Sequence, residues 1–252
     1  MDYNDVFYIS IVTFCVHEIS WLVLNLFYLG LDKYKLFQKY RITTNIIDIN
    51  QQITVFKELF LKHIILLFPA QILSYPFLKY LKITNDEQYI PALYYIMIQF
   101  TILNIIEDFI FYWVHRALHY PYLYKRIHSI HHKFDSMLGH TFSLNGEYSH
   151  YIENILNDFT PMMIGLYIWS FIGTTHVTVF WLWIFFRQLR TADAHSGYDF
   201  PYHPLKLINF VYGGTRMHSF HHTLAGRKHN FGGLIIWDRM FGTEYNGMLI
   251  NH

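Results

Sequence analysis

"NIIEDFIFYWVHRALHY", residues 104–120, ends an apolar run with two histidines four positions apart. At helical pitch His115 and His119 share one face, about a turn from each other. Asp108 lies seven residues before His115 on the same stripe, with Glu107 beside it. Carboxylates inside an apolar span are costly and need partners. One reading pairs them with Arg116 or another basic group. The other has them accept the spare ring N–H of a ligating histidine, which fixes its tautomer.

Working outward, "RIHSIHHKFD" (126–135) and "MHSFHHTLAG" (217–226) each carry an HxxHH box. His128, His131 and His132 form the first, and His218, His221 and His222 the second. With 17 histidines in 252 residues, one such box arises by chance with odds of about 0.08, and two are far rarer. On an α-helix His131 and His132 flank the direction of His128, so all three rings are expected to converge on one point. Neutral imidazole suits iron, zinc and copper. Eight boxed histidines exceed the needs of one ion and fit two. A carboxylate-bridged di-iron bundle needs two Glu-x-x-His motifs. "EYSH" (147–150) supplies one and no second is found, so the site reads as histidine-rich. His17 and His63 are lone in apolar segments and read as hydrogen-bonded structural groups, as do His176, His203 and His252. His140 and His229, close to boxes, are open between the two readings.

The chain is 53% hydrophobic, 20% aromatic and only 15% charged, which reads as a membrane protein rather than a soluble domain. Net charge is +1, so nucleic acid is not an expected partner. The one cysteine, Cys15, allows neither a disulfide framework nor a thiolate metal cage. "MDYNDVFYIS" has no basic n-region of a cleaved leader. Four apolar stretches approach the ~20 residues a spanning helix needs. They lie near 7–30, 55–80, 89–114 and 158–188; Gly173 suggests that the last is a re-entrant hairpin. Basic residues Lys33, Lys35, Lys39, Arg41 and Lys57 place the 31–57 connection inside, and Arg116, Lys125, Arg126, Lys133, Arg187 and Arg190 place every histidine box on the same side. The expected fold is all-α and polytopic, with about four transmembrane or re-entrant helical segments and a cytosol-facing helical histidine cap holding a di-metal site. Residues 1–99 are expected to supply N-terminal transmembrane helices and 100–252 the catalytic part, in one integrated fold.

Over about residues 100–245 the sequence resembles the fatty acid hydroxylase / sterol desaturase superfamily of membrane di-iron oxygenases. "EDFIFYWVHRALH" (107–119), "HSIHH" (128–132), "DAHSGYDFP" (193–201), "HSFHH" (218–222) and "WDRMFGT" (237–243) stand in the family order, and "DAHSGYDFP" leans toward the 4-methylsterol oxidase branch. The resemblance implies that the boxed histidines bind two irons, that His195 joins them, and that His150 in "EYSHYIE" is a further ligand. No catalytic side chain beyond the metal centre is expected. Glu107, Asp108, Glu147, Asp193, Asn230 and Asp238 are expected behind the ligands. The residues after His132 and after His222 depart from the family pattern, with His229-Asn230-Phe231 where Gly-Asn-Tyr is usual, and these stretches are expected to shape the substrate mouth.

No flavin or nicotinamide fingerprint is present, so electrons must come from outside. The resemblance implies NAD(P)H through a reductase, with a b-type cytochrome as a further carrier. Lys125, Arg126, Lys133 and Arg227 are either its docking face or membrane-flanking charges, the latter favoured. Phe111, Tyr112, Trp113, Trp181 and Trp183 are candidate walls for a lipid entering from the bilayer. The implied activity is sterol 4-methyl oxidation in the endoplasmic reticulum. The alternatives are another lipid hydroxylase or desaturase of the superfamily, or a member recruited as a structural subunit of a larger membrane assembly such as a respiratory complex, in the mitochondrial inner membrane. Zinc in place of iron would lack redox chemistry.

Overall fold

The computed structural model describes residues 7–43, 47–85, 91–135, 141–208 and 210–245. His140 and His252 lie outside these residues. The described chain is almost wholly helical. After a π-turn at Phe7–Ile11 come α1 (Val12–Lys33), α2 (Ile49–Lys62), a π-turn at His63–Leu67, α3 (Phe68–Tyr80) and α4 (Leu93–Leu118). Then follow α5 (Pro121–Arg126), a 3₁₀ turn at His128–Phe134, α6 (Thr160–Ser170), α7 (Val177–His195), α8 (Gly214–His221) and α9 (Ile235–Met240).

Among the described residues two helices are long and apolar enough to cross a membrane, Tyr8–Lys33 and Leu93–Leu118. Both bury polar side chains among apolar ones and expose apolar ones. In α4 the buried stripe is Gln99, Leu103, Asn104, Glu107, Asp108, Tyr112, His115 and Leu118, while Leu93, Tyr94, Met97, Ile98, Phe109 and Trp113 are exposed. In α1, Glu18, Ser20, Asn25 and Asp32 face inward and Ile19, Val23, Leu26 and Phe27 outward. That inverts the soluble-helix pattern and suits a lipid surround. The other two expected spans are built from shorter pieces. The 55–80 stretch is split by a π-turn, and the 158–188 stretch breaks after α6.

The break carries Gly173, where an added Cβ would come within 2.9 Å of the Tyr95 hydroxyl. Beyond it β1 (Ile83–Thr84) pairs in parallel with β2 (Thr175–His176), Gln99 donates to the Thr175 hydroxyl at 2.7 Å, and the His176 ring caps α7 by accepting from the Thr178 N–H. This end of the bundle is filled by Tyr75, Leu78, Leu103, Leu166, Phe180 and Trp183. At the opposite end Tyr28 and Leu31 of α1 pack on Ala192 and Tyr198, and Trp21, Val55 and Leu59 pack on Phe134, Phe142 and Leu144. The 31–57 connection and the histidine boxes therefore share one end. Asp32 ties it together, taking hydrogen bonds from Arg41, Gln52 and Tyr198.

Candidate metal centre

Four elements bring the boxes together. His115 and His119 project from the end of α4. Tyr120-Pro121 then turns the chain into α5, with Pro121 in the first turn where its missing N–H costs nothing. His128, His131 and His132 follow on the 3₁₀ turn, His195 closes α7, and His218, His221 and His222 lie on and just after α8.

The nine rings form two groups, each with donor atoms within 4.8 Å of one another: His115, His119, His128, His132 and His221; and His131, His195, His218 and His222. The expectation that one box converges on one point is corrected. In each box the first and last histidines, four apart, join one group and the middle one joins the other. The cause is geometric. His128 and His131 stack nearly parallel with centroids 5.3 Å apart, as do His218 and His221 at 5.4 Å. On the 3₁₀ turn His128 and His131 eclipse, displaced along the axis by about 6 Å, and on the α-helix α8 His218 and His221 lie on neighbouring rows about 4.5 Å apart along the axis. They point the same way at different heights and reach neighbouring positions.

The rings are oriented from behind through Nδ1. His115 bonds the Phe231 carbonyl at 2.7 Å, His195 the Thr191 carbonyl at 2.9 Å and His221 the His229 carbonyl at 2.7 Å. His128 bonds Glu153 at 2.8 Å, and Asp135 takes His132 at 2.7 Å on one oxygen and His222 at 2.8 Å on the other. With the proton on Nδ1, each of these rings turns an Nε2 lone pair inward. Yet the short ring–ring contacts all join Nε2 to Nε2: 2.9 Å for His119–His128, 3.0 Å for His128–His132, 3.1 Å for His119–His221, 2.7 Å for His195–His218, 3.1 Å for His218–His222 and 3.4 Å for His131–His195. Lone pairs facing at such distances repel unless a cation lies between them. Bonds of ~2.1 Å to one ion separate neighbouring ligand atoms by about 3.0–3.4 Å. His115 Nε2 is buried with no hydrogen-bond partner, as a ligand atom would be. Burial, then the charge of neighbouring rings, pushes His128, His131, His132, His218 and His222 well below the ordinary imidazole range, and burial brings His195 down to about 4. Neutral rings are the form that binds metal. The residues fit a pair of metal ions.

His150 is not brought to either group; its Nδ1 accepts from the Ile152 N–H as a helix cap. None of the six residues expected behind the ligands bonds one of the nine rings directly. Glu107 takes Trp183 Nε1 at 2.6 Å and pairs with Arg187, and Asp108 takes the Leu234 N–H at 2.7 Å and Arg190 at 3.3 Å. Their partners are basic groups of α7 rather than Arg116, because α7 packs across α4 at this level. Asp238 accepts from the Phe231 and Gly232 N–H groups at 2.9 Å each, and Asn230, at φ +57°, donates to the Met217 carbonyl. Asp108 and Asp238 therefore brace the 230–234 segment, whose Phe231 carbonyl aims His115. Asp193 takes the Tyr212 hydroxyl at 3.0 Å and lies 3.6 Å from His203. Glu147 faces His63 and Gln188, away from the nine rings. The carboxylates that do hold rings, Asp135 and Glu153, were not anticipated. Asp135 stands three residues after His132, and Glu153 closes the quoted "EYSHYIE".

Beside His119 opens a cavity of about 630 Å³, walled by Trp113, Ala117, Leu123 and Phe231 and rimmed by Arg116, Arg227 and Lys228. Arg227, Lys228 and Phe231, from the stretch after His222 that departs from the family pattern, line this cavity, and none of the described residues of the stretch after His132 does. Of the five aromatic wall candidates only Trp113 takes part; Tyr112 and Trp183 are fully buried in packing and Trp181 donates to the Thr13 hydroxyl. Among the basic candidates, Arg227 donates to Asp135 and so buttresses the centre, Arg126 lies over the Tyr122 ring and Lys133 reaches the Tyr148 hydroxyl.

Residues 100–243 match the family model described as fatty acid hydroxylase. A very-long-chain aldehyde decarbonylase of Oryza sativa is 33% identical over 93% of this chain and 85% of its own. Methylsterol monooxygenase 1 of Gallus gallus is 33% identical over 91% of this chain and 74% of its own, and that of Danio rerio 35% identical over 82% and 68%. No solved structure matches. With these relatives, the inverted polarity of its long helices and its paired histidine groups, the chain is a membrane protein that belongs to the fatty acid hydroxylase family.

Proposed function

We propose that this chain is a membrane monooxygenase whose nine histidines hold two iron ions, and that it oxidises a 4-methyl group of a sterol with dioxygen and electrons from an NAD(P)H-dependent reductase. The observation that carries the reading is the double set of converging Nε2 atoms, fixed from behind by Asp135, Glu153 and three carbonyls. Two irons, when bound, supply the dioxygen and C–H chemistry that no side chain can. His115, His119, His128, His132 and His221 would hold one, and His131, His195, His218 and His222 the other. The remaining work belongs to the chain. The buried rings stay neutral, the packed shell excludes water, and the cavity beside His119 admits a lipid between apolar walls. Its volume falls within the ~300–1,000 Å³ of small-molecule sites.

The methylsterol monooxygenase relatives support the sterol assignment. The rice relative, matched over more of both chains, supports a second reading in which the substrate is a long-chain aldehyde. Detergent-purified, anaerobically iron-loaded protein, supplied with reductase and NADPH, should convert a 4,4-dimethylsterol to an oxidised 4-methyl product by mass spectrometry. Conversion of a very-long-chain aldehyde alone would favour the second reading. Zinc that survives iron reconstitution, with no turnover of either lipid, would overturn both and leave a structural subunit.

A further inference from the structure

A second cluster of metal-binding side chains lies outside the nine-histidine centre. His17 and Glu18 sit midway along α1, and His63 begins the π-turn between α2 and α3. Read singly in the sequence, the two histidines are structural groups; the fold makes them neighbours. Glu18 Oε1 lies 3.0 Å from His17 Nδ1 and 2.9 Å from His63 Nδ1, and the three donors lie within 4.8 Å of one another.

We propose that His17, Glu18 and His63 form a third metal site, for a divalent first-row transition ion such as Zn²⁺. Three observations point to a ligand. His63 Nδ1, although 2.9 Å from the carboxylate, makes no hydrogen bond, and Glu18 Oε2 is buried with no partner at all. The separations match the roughly 3.0 Å edge that octahedral ligands ~2.1 Å from one ion would have. The far side of His63 is also held, its Nε2 lying 2.8 Å from Glu147 Oε2, while Gln188 Nε2, which donates to Glu147 Oε1, lies 2.7 Å from His17 Nε2. A carboxylate behind a ligating imidazole, as Glu147 stands behind His63, turns the opposite lone pair to the ion.

Chemistry and position agree. Two imidazoles and one carboxylate form a set used by zinc and ferrous iron, with coordination positions left open. Glu18 and His17 lie within an apolar helix, where charged groups are expensive and mark function. A divalent cation would offset the buried carboxylate there. The π-turn is a second mark, since such turns recur at functional sites and re-aim the residue that opens them. The site would clamp α1 to the α2–α3 helix. Through Glu147 it also meets the turn whose Gly146 abuts His195; a Cβ there would lie 3.1 Å from the His195 ring. The proposal does not depend on which lipid the nine-histidine centre oxidises.

The test counts zinc per chain by elemental mass spectrometry on full-length protein in detergent, loaded to saturation with Zn²⁺ alone. Wild type should hold one ion more than Glu18→Gln and one more than His17→Ala, however many the nine histidines retain. His17→Ala is the safer variant, since that ring is part-exposed and Glu18 keeps the His63 ring 2.9 Å away. Glu147→Gln should keep the ion but bind it ~10–100-fold more weakly in a chelator competition. Equal zinc counts in wild type and both ligand variants would overturn the site. Unchanged affinity in Glu147→Gln would overturn the orienting role of that carboxylate.

Discussion

Asp135→Asn should selectively weaken one ion of the nine-histidine centre. Asp135 accepts from His132 and Arg227 on Oδ2 and from His222 on Oδ1. Asparagine has the same shape but only one acceptor oxygen. That oxygen should settle on the Oδ2 side, where two donors wait, and leave an NH₂ facing His222 Nδ1–H at a position that is now 2.8 Å. To avoid two donors meeting, His222 must move its proton to Nε2 and cease to be a ligand. His222 belongs to the four-histidine group, so that ion should bind ~10–100-fold more weakly, the usual effect of losing such a partner and equal to about 1.4–2.7 kcal/mol. The five-histidine ion should change less, because His132 keeps its acceptor. Glu153→Gln is the control. Glu153 serves only His128, and its Oε2 has no partner, so an amide can take its place with the oxygen still on His128. Anaerobic titration with Fe²⁺ against a chromogenic chelator, with iron counted per chain, reads both affinities. Two ions at wild-type affinity in Asp135→Asn, or an equal loss in Glu153→Gln, would refute the reasoning.

His131→Ala and His221→Ala remove one donor from different groups, and each should abolish turnover while losing iron first from its own position, read by iron count and Mössbauer spectroscopy. Gly226→Ala would place a Cβ 1.7 Å from the Phe220 carbonyl oxygen, backbone against backbone, so the second box must shift; the expected result is loss of iron with a lowered thermal midpoint. Asp108→Ala strands the Arg190 guanidinium and the Leu234 N–H in a buried setting and should cost about 3–5 kcal/mol, measured by denaturation in detergent. Chelator treatment of wild type should lower the thermal midpoint, and iron should restore it, because the facing Nε2 atoms repel once the ions are gone.

The helical class and the eight boxed histidines were legible in the sequence because their spacing is local, HxxxH at the end of an apolar run and HxxHH twice, while the family and His195 came from the likeness of longer motifs such as "DAHSGYDFP". Single-strand spacing could not assign the rings to ions. A box read as one α-helical face predicts one convergence point, and only the 3₁₀ turn at His128–Phe134 and the docking of α8 against α7 divide each box between two groups. Supporting carboxylates were hidden for a similar reason. Proximity in sequence favoured Glu107 and Asp108, but the packing of α7 gives them Arg187 and Arg190, while Glu153 reaches His128, and Asp135 its second ring, His222, only through tertiary packing that no periodicity encodes. His17 and His63 show the limit most plainly. Each is unremarked alone, and an apolar helix pair closing in space is what sets them, with Glu18, around one point.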